Sequence, residues 1–190
     1  MTLLFVAARC GATPTASPSP TASPSAAAAT PTPSPTGLEG PIGSFPSGCV
    51  QEASGIPTAP RVSISDITVQ GYPDYDVLIF DFDRGLPEYA IDHIEPPFTR
   101  DPSGLPLEVD GSYFFSVVFH GASIVDEEFQ PVYEGPTDFQ PDLTRIRQVV
   151  LAGDFEAVSS WVVGLEEAAC VAVQAFSGDR LVIAFLEAPS

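Results

Sequence analysis

The sequence predicts an all-β protein: a single antiparallel β-sandwich of about eight or nine strands, preceded by a disordered tether rich in Pro, Ser, Thr and Ala. Three observations support this prediction. Alternating apolar and polar residues recur between turn residues throughout residues 61–187, a pattern typical of strands. No stretch shows the 3.6-residue period of a helix. Residues 13–37 contain only Pro, Thr, Ser, Ala and one Gly, so they have no apolar surface to offset the entropy of ordering.

The first ten residues resemble the end of a bacterial lipoprotein signal, in which an apolar run leads to a cysteine that receives lipid. We therefore predict a partial signal over residues 1–10, lipidation at Cys10 and a tether over residues 11–37. Arg9 stands where such signals have a small residue, and no basic segment precedes the apolar run. Two explanations remain open. Either translation starts upstream of Met1, which the tether after the cysteine favours, or the segment is an unprocessed cytosolic start.

The first half of the folded part is predicted to contain five strands. Residues 38–60 are rich in Gly and Pro, so we expect an irregular lead-in there. A change of alternation near Asp66 indicates a β-bulge in the first strand. The second strand is apolar on both faces for half of its length and the fifth is the most aromatic, so both should be central. The predicted strands are Val62–Val69, Tyr75–Asp83, Tyr89–Ile94, Leu105–Val109 and Ser112–His120, with a hairpin turn at Asp110-Gly111 between the last two.

The second half is predicted to contain two antiparallel hairpins separated from the first half by an irregular stretch over residues 122–135. The first hairpin spans Arg145–Leu165, with the tight connection at Gly153–Glu156. Within it, Trp161 has the same parity as apolar neighbours, so we expect it in the core rather than on a binding platform. The closing hairpin joins Cys170–Phe176 to Arg180–Leu186.

Six short motifs occur in the order in which one family has them. Over about residues 62–186 the chain resembles the AMIN-like domain of bacterial envelope lipoproteins, although Ala157 stands where that family commonly has Gly. The resemblance implies a β-sandwich over residues 61–187 that is non-catalytic, extracytoplasmic and anchored by lipid to the outer face of the cytoplasmic membrane. The motifs are Tyr75–Phe82, Gly85-Leu86-Pro87-x-Tyr89, Pro102-Ser103-Gly104, Val149-Val150-x-x-Gly153-Asp154-Phe155-Glu156, Trp161-x-x-Gly164-Leu165 and Arg180-Leu181-Val182.

The charge of the chain argues against nucleic acid as a partner. Asp and Glu total 25 against 7 basic residues, all of them Arg, which gives a net charge of −18. Such a protein repels phosphate backbones and anionic membrane surfaces. The acids are scattered rather than clustered, so solubility explains them. We therefore expect contact with a membrane only through the lipid anchor.

The cysteines predict one disulfide. Assigning Cys10 to lipid leaves Cys49 and Cys170 in the folded part of an extracytoplasmic protein, where conditions are oxidising. We therefore predict a bond between these two residues. Two buried free thiols remain the alternative, because cysteine also packs well in cores.

No pattern in the sequence is typical of a catalytic or metal site. The histidines lie on separate predicted strands without zinc-ligand spacing. The Ser-Gly pairs lack the flanking residues of a hydrolase nucleophile, and the acidic stretches lack calcium-loop spacing. We therefore predict no enzyme, cofactor or metal. The residues considered are His93 and His120, Ser103 and Ser177, Asp81 and Asp83, and the tip at residues 126–128.

A binding function is the leading hypothesis. A carbohydrate surface needs exposed aromatic rings, and Tyr72 and Tyr133 are the candidates because both lie in turns or loops. We expect a module that binds a cell-wall glycan such as peptidoglycan, or an envelope protein. A cell-wall hydrolase or an accessory to one, and a purely structural interaction domain, are the alternatives.

Overall fold

A computed structural model of the protein describes residues 49–176 and 178–189, which form thirteen β-strands and no helix. The chain divides into two units, residues 1–37 and 38–190, and every described residue belongs to the second. The predicted signal, the lipidation site at Cys10 and the tether lie outside the described residues. Within the described part of the chain, no helix is long and apolar enough to cross a membrane.

The strands form two large sheets and one small one. All neighbouring strands are antiparallel except β2 and β8, which are parallel. In spatial order the six-stranded sheet contains β1 (Glu52–Gly55), β4 (Glu88–Ile94), β7 (Tyr113–His120), β11 (Val158–Leu165), β10 (Ile146–Phe155) and β9 (Asp138–Phe139). The five-stranded sheet contains β12 (Ala169–Phe176), β13 (Arg180–Glu187), β3 (Tyr75–Phe82), β2 (Val62–Gly71) and β8 (Ala122–Ser123). The small sheet pairs β5 (Phe98–Thr99) with β6 (Pro106–Leu107).

The predicted sandwich is confirmed, because one apolar core contains side chains from both large sheets. Nine of the strands have four or more residues, in line with the predicted number. Trp161 of the six-stranded sheet is fully buried, and its ring meets Phe80 of the five-stranded sheet at 5.8 Å between centroids. The prediction that Trp161 belongs to the core is therefore correct. The central positions of β3 and β7 and the bulge near Asp66 are also confirmed.

Two turns differ from the prediction. The β10–β11 turn lies at Glu156-Ala157, because a register shift after Leu151 keeps the Gly153–Phe155 segment within β10. The predicted hairpin at Asp110-Gly111 is wrong, because β6 pairs with β5 instead of β7. Asp110 N donates instead to Gln148 Oε1 at 2.6 Å, which holds this segment against β10.

The lead-in also has more structure than predicted, because β1 lies inside residues 38–60 and pairs with β4. The irregular stretch over residues 122–135 likewise begins with β8. The predicted disulfide is present: Cys49 is bonded to Cys170, with 5.2 Å between their Cα atoms. Val50 and Val171 form a bridge next to it, with N–O distances of 3.1 and 2.8 Å. The start of the described chain is therefore fastened to β12.

Candidate functional site

An open cleft of about 490 Å³ lies beside the β10–β11 turn. One wall is the turn itself, and the other is the loop that follows β8, over residues 124–132. The cleft is lined by Arg61, Ser123, Val125, Phe129, Asp154, Phe155, Glu156 and Ala157.

Strained backbone is concentrated in this cleft. Among the described residues, the non-glycine residues with positive φ are Phe129 (61°), Glu156 (52°) and Ala157 (60°), and all three line the cleft. Such a conformation costs an L-residue roughly 1–2 kcal/mol. Glu156 and Ala157 form a two-residue hairpin turn with φ above zero at both positions, where Asn and Gly are usual. Backbone strain of this kind clusters at functional sites, so it makes the cleft a candidate site.

Hydrogen bonds hold both walls in place. Ala157 O accepts from Gly121 N at 2.8 Å and from Ala122 N at 3.1 Å, which ties the turn to the start of β8. In the loop, Asp126 Oδ1 accepts from Glu128 N at 2.9 Å and Gln130 N at 2.8 Å. The loop tip is thus an organised turn rather than an irregular acidic tip, and it turns Phe129 outward.

Two phenylalanine rings are exposed at the cleft. Phe129 is 80% exposed and Phe155 is 49% exposed, and together they are the exposed phenylalanines of the described chain. Burial of an aromatic ring is strongly favourable, so a ring held in water by a strained backbone is available to a ligand. The two rings therefore form the apolar part of the candidate site.

A carboxylate supplies the polar part of the cleft. Asp154 Oδ2 accepts from Ser123 Oγ at 2.7 Å and from Ile124 N at 3.3 Å. Its Oδ1 is buried without a hydrogen-bond partner. A buried acceptor without a partner is costly, and this one belongs to a residue that lines the cleft. Glu156 adds a second negative group against the one positive group of Arg61, so the lining keeps a net negative charge and suits donors and cations better than anions.

The prediction that Tyr133 is exposed is wrong. Tyr133 is only 6% exposed, and its ring lies 6.4 Å from that of Trp161. Its hydroxyl donates to Pro136 O at 2.9 Å, and burial raises its pKa to about 12. The physical reason is the turn that follows: Gly135 lies so close to the tyrosine ring that a Cβ there would collide with it. The loop therefore folds the ring into the core.

Tyr72, the other predicted ligand residue, is half-buried and does not line the cleft. Its ring stacks on Tyr75 at 4.8 Å between centroids. A ligand-binding role for Tyr72 stays a prediction. Phe129 and Phe155 were not predicted as site residues, because one stands in an acidic loop and the other in a segment interpreted as a connection. A single large apolar residue between polar neighbours is the signal that marks both positions.

The residues considered for metal binding have other roles. His93 stacks on Tyr113 at 4.1 Å, and His120 is exposed. Asp81 forms a bidentate pair with Arg180, at 2.5 and 3.0 Å. Asp83 accepts from Ser63 N at 2.7 Å. The described residues contain no group of three or more His, Cys, Asp or Glu that could hold a metal ion.

Comparison with known proteins identifies the family. Searches of curated proteins and of solved structures find no match to the chain. The family model for the AMIN-like domain matches residues 62–187, which include β2 to β13 and every residue that lines the cleft except Arg61. The chain belongs to the AMIN-like domain family.

Proposed function

We propose that this protein is a non-catalytic, lipid-anchored envelope module that binds a cell-wall glycan through the cleft beside the β10–β11 turn. AMIN-like domains are extracytoplasmic and are generally binding domains rather than enzymes. The single observation that supports the site is the pair of exposed rings, Phe129 and Phe155, in a cleft that the carboxylate of Asp154 also lines.

The chemistry of the cleft favours a neutral or amino-bearing glycan. The apolar faces of sugar rings stack on aromatic side chains, while sugar hydroxyls donate to carboxylates. The negative charges of Asp154 and Glu156, on a chain with a net charge of −18, oppose polymers of phosphate. Peptidoglycan, with neutral sugars and peptide amines, therefore fits the cleft better than an anionic wall polymer.

The anchor would place the cleft near the wall. If Cys10 carries lipid, the tether over residues 13–37 would reach roughly 80 Å when fully extended, at ~3.1 Å per residue, or roughly 30 Å as a flexible coil. We expect Cys10→Ser to release the protein from the membrane fraction. Mass spectrometry of the native protein tests the same point, because an unlipidated Cys10 in membrane-associated protein would reject the anchor.

The glycan proposal is tested by sedimentation of the full chain with purified peptidoglycan. The double variant Phe129→Ala, Phe155→Ala should lose on the order of tenfold in retention, because stacking contributes roughly 0.5–1.5 kcal/mol per ring beyond area burial. Leu105→Ala is the matched control, since Leu105 is 61% exposed and lies outside the cleft. Equal retention of both variants contradicts the proposed site.

The alternatives give different results in the same experiment. If the unmodified chain is not retained but an envelope protein co-purifies with it through the same two rings, the cleft is a protein-binding site. Release of soluble muropeptides by the unmodified chain would support a hydrolase instead.

A further inference from the structure

A second open cavity, of about 550 Å³, lies at the same end of the six-stranded sheet as the cleft. His120, which belongs to its lining, pairs with Val158 of β11. Val158 follows directly after Ala157, which lines the cleft. The second cavity is therefore reached from the β10–β11 turn by crossing to the neighbouring strand, β7.

The strand register places the two cavities at opposite ends of one row of side chains. Paired residues of neighbouring strands point to the same face of a sheet. Phe155 lines the cleft, while His120 and Glu88 line the second cavity. Neighbouring strands lie about 4.8 Å apart, so a row across four strands is roughly 14 Å long. In order from β10 to β4, the row contains Phe155, Val158, His120 and Glu88.

This row points away from the main core and is open. Side chains alternate along a strand, and Phe119, the residue before His120, is buried in the main core. His120 and Glu88 are exposed, and Val158 is half-buried. Strand β6 packs on Val162, which lies further along β11. The small sheet therefore leaves this end of the six-stranded sheet accessible.

A short segment of the chain links the same two cavities along one side. Residues 56–61 begin at Ile56, in the second cavity, and end at Arg61, in the cleft. Five Cα–Cα steps of ~3.8 Å span at most about 19 Å, which agrees with the length of the row. Val62 N donates to Gly121 O at 2.9 Å, and Gly121 N donates to the β10–β11 turn at 2.8 Å. The two cavities are therefore held at a fixed separation.

The second cavity offers the same kinds of group as the cleft. Ile56 is 86% exposed, and it joins Phe129 and Phe155 among the five large apolar residues that are exposed in the described chain. Glu88 supplies an acceptor, and His120 supplies a donor or an acceptor. A sugar unit has an apolar face and hydroxyl groups that both donate and accept. Two such cavities joined by an open row suit a polymer of repeating sugar units better than a compact molecule.

We propose that this cavity is a second subsite and that one glycan strand occupies both cavities, lying along the row from Phe155 to Glu88. The inference rests on the proposed function, since the cleft holds one part of the strand. The part between the cavities lies over Val158. Once the cleft is occupied, binding in the second cavity is intramolecular, so the affinity rises when the strand is long enough to reach it.

Isothermal titration calorimetry of the full chain tests this proposal with soluble peptidoglycan fragments of one and of several disaccharide units. The double variant Ile56→Ala, His120→Ala should bind the longer fragments on the order of tenfold more weakly, because they lose the second subsite. Its affinity for the single unit should not change. Leu105→Ala is the matched control, since Leu105 is 61% exposed and lies outside both cavities, and it should change neither affinity.

The cleft variant separates this proposal from the proposed function. Phe129→Ala, Phe155→Ala should weaken the binding of both lengths of fragment. If Ile56→Ala, His120→Ala weakens both lengths equally, or neither, the second subsite is overturned while the cleft still binds. If the unmodified chain binds neither length, the proposed function fails and this inference fails with it. Both substituted side chains of the second cavity are exposed, so the melting temperature should match that of the unmodified chain.

Discussion

The outer faces of the two large sheets each carry a buried apolar cluster, but the described residues that surround the two clusters differ. On the six-stranded sheet, the buried cluster of Leu107, Val150 and Val162 contains a residue of β6, and Phe98 of β5 packs against it. The arm that carries β5 and β6 therefore covers this face. On the five-stranded sheet, the buried cluster contains only residues of the sheet. The described residues supply no comparable arm over that face.

The arm over the six-stranded sheet shows how a sheet that is apolar on both sides can be covered by a further layer of the same chain. An antiparallel sheet ordinarily has one face in the core and one in water. Strand β3 departs from this rule, since Val77, Leu78, Ile79 and Phe80 are all buried in succession. A strand of this kind in a sequence therefore predicts a covering segment as well as a central position.

The largest effect is expected from removal of the disulfide. In the chain-entropy model, a bond that closes a loop of 121 residues contributes on the order of 4–5 kcal/mol, an upper figure because measured bonds often contribute less. We expect the double variant Cys49→Ser, Cys170→Ser to unfold at a clearly lower denaturant concentration than the unmodified protein. If the midpoint does not change, the bond does not stabilise the attachment of the first described residues to β12.

The cover of the six-stranded sheet should be the next most sensitive part. Leu107 is 4% exposed, so Leu107→Ala should lower the free energy of unfolding by roughly 2–4 kcal/mol through a cavity under the arm. Leu105 is 61% exposed in the same arm, and Leu105→Ala should change it by less than about 0.5 kcal/mol. Denaturant titration compares the two. Similar values would mean that the arm does not pack on the sheet.

A smaller effect is expected at the polar end of the five-stranded face. The Asp81–Arg180 pair lies in the same row as Phe176, and both of its side chains are partly exposed. Asp81→Asn should therefore cost about 1 kcal/mol or less. A double-mutant cycle with Arg180→Gln measures the interaction, and a coupling of several kcal/mol would show that this end of the face is also covered.

The smallest effect concerns an exposed pair on the six-stranded sheet. A hydrogen bond from Arg147, followed by its charge, lowers the pKa of Glu166. A depressed pKa means that the pair stabilises the fold above the unfolded-state pKa of the glutamate, and that this contribution is lost as the pH falls through the folded-state pKa. Glu166→Gln should flatten the acid side of the stability profile slightly. A larger loss at neutral pH than at acid pH is expected, and the reverse order would contradict the assignment.

Most of the fold could be predicted because the strands carry strong local signals. Alternation identified the nine longer strands apart from β1, which has a small residue at most of its positions, Glu52–Gly55, and is held by pairing with β4. The pairing of β5 with β6 could not be predicted, since two-residue strands have no periodicity. The disulfide was predicted by counting cysteines, and the fold brings the two Cα atoms to 5.2 Å from each other.

The candidate site was harder to predict because it depends on exposure and backbone angles. The sequence favoured Tyr133 for exposure, yet the glycine at position 135 lets the loop fold that ring inward. No pattern in the sequence indicated that Phe129 would be held outward by a backbone with φ at 61°. Ala157 was identified as a departure from the family at a position where Gly is common, and its φ of 60° gives the physical reason for that preference.

The central claim is that the cleft, rather than the five-stranded sheet or the arm with β5 and β6, binds the wall. The most direct measurement is the change in backbone amide NMR shifts of the ¹⁵N-labelled full chain on addition of soluble peptidoglycan fragments. The account predicts that the shifts concentrate in residues 121–132 and 154–158 and disappear in the Phe129→Ala, Phe155→Ala variant. Shifts confined to β3, β12 and β13, or to the arm with β5 and β6, would contradict it.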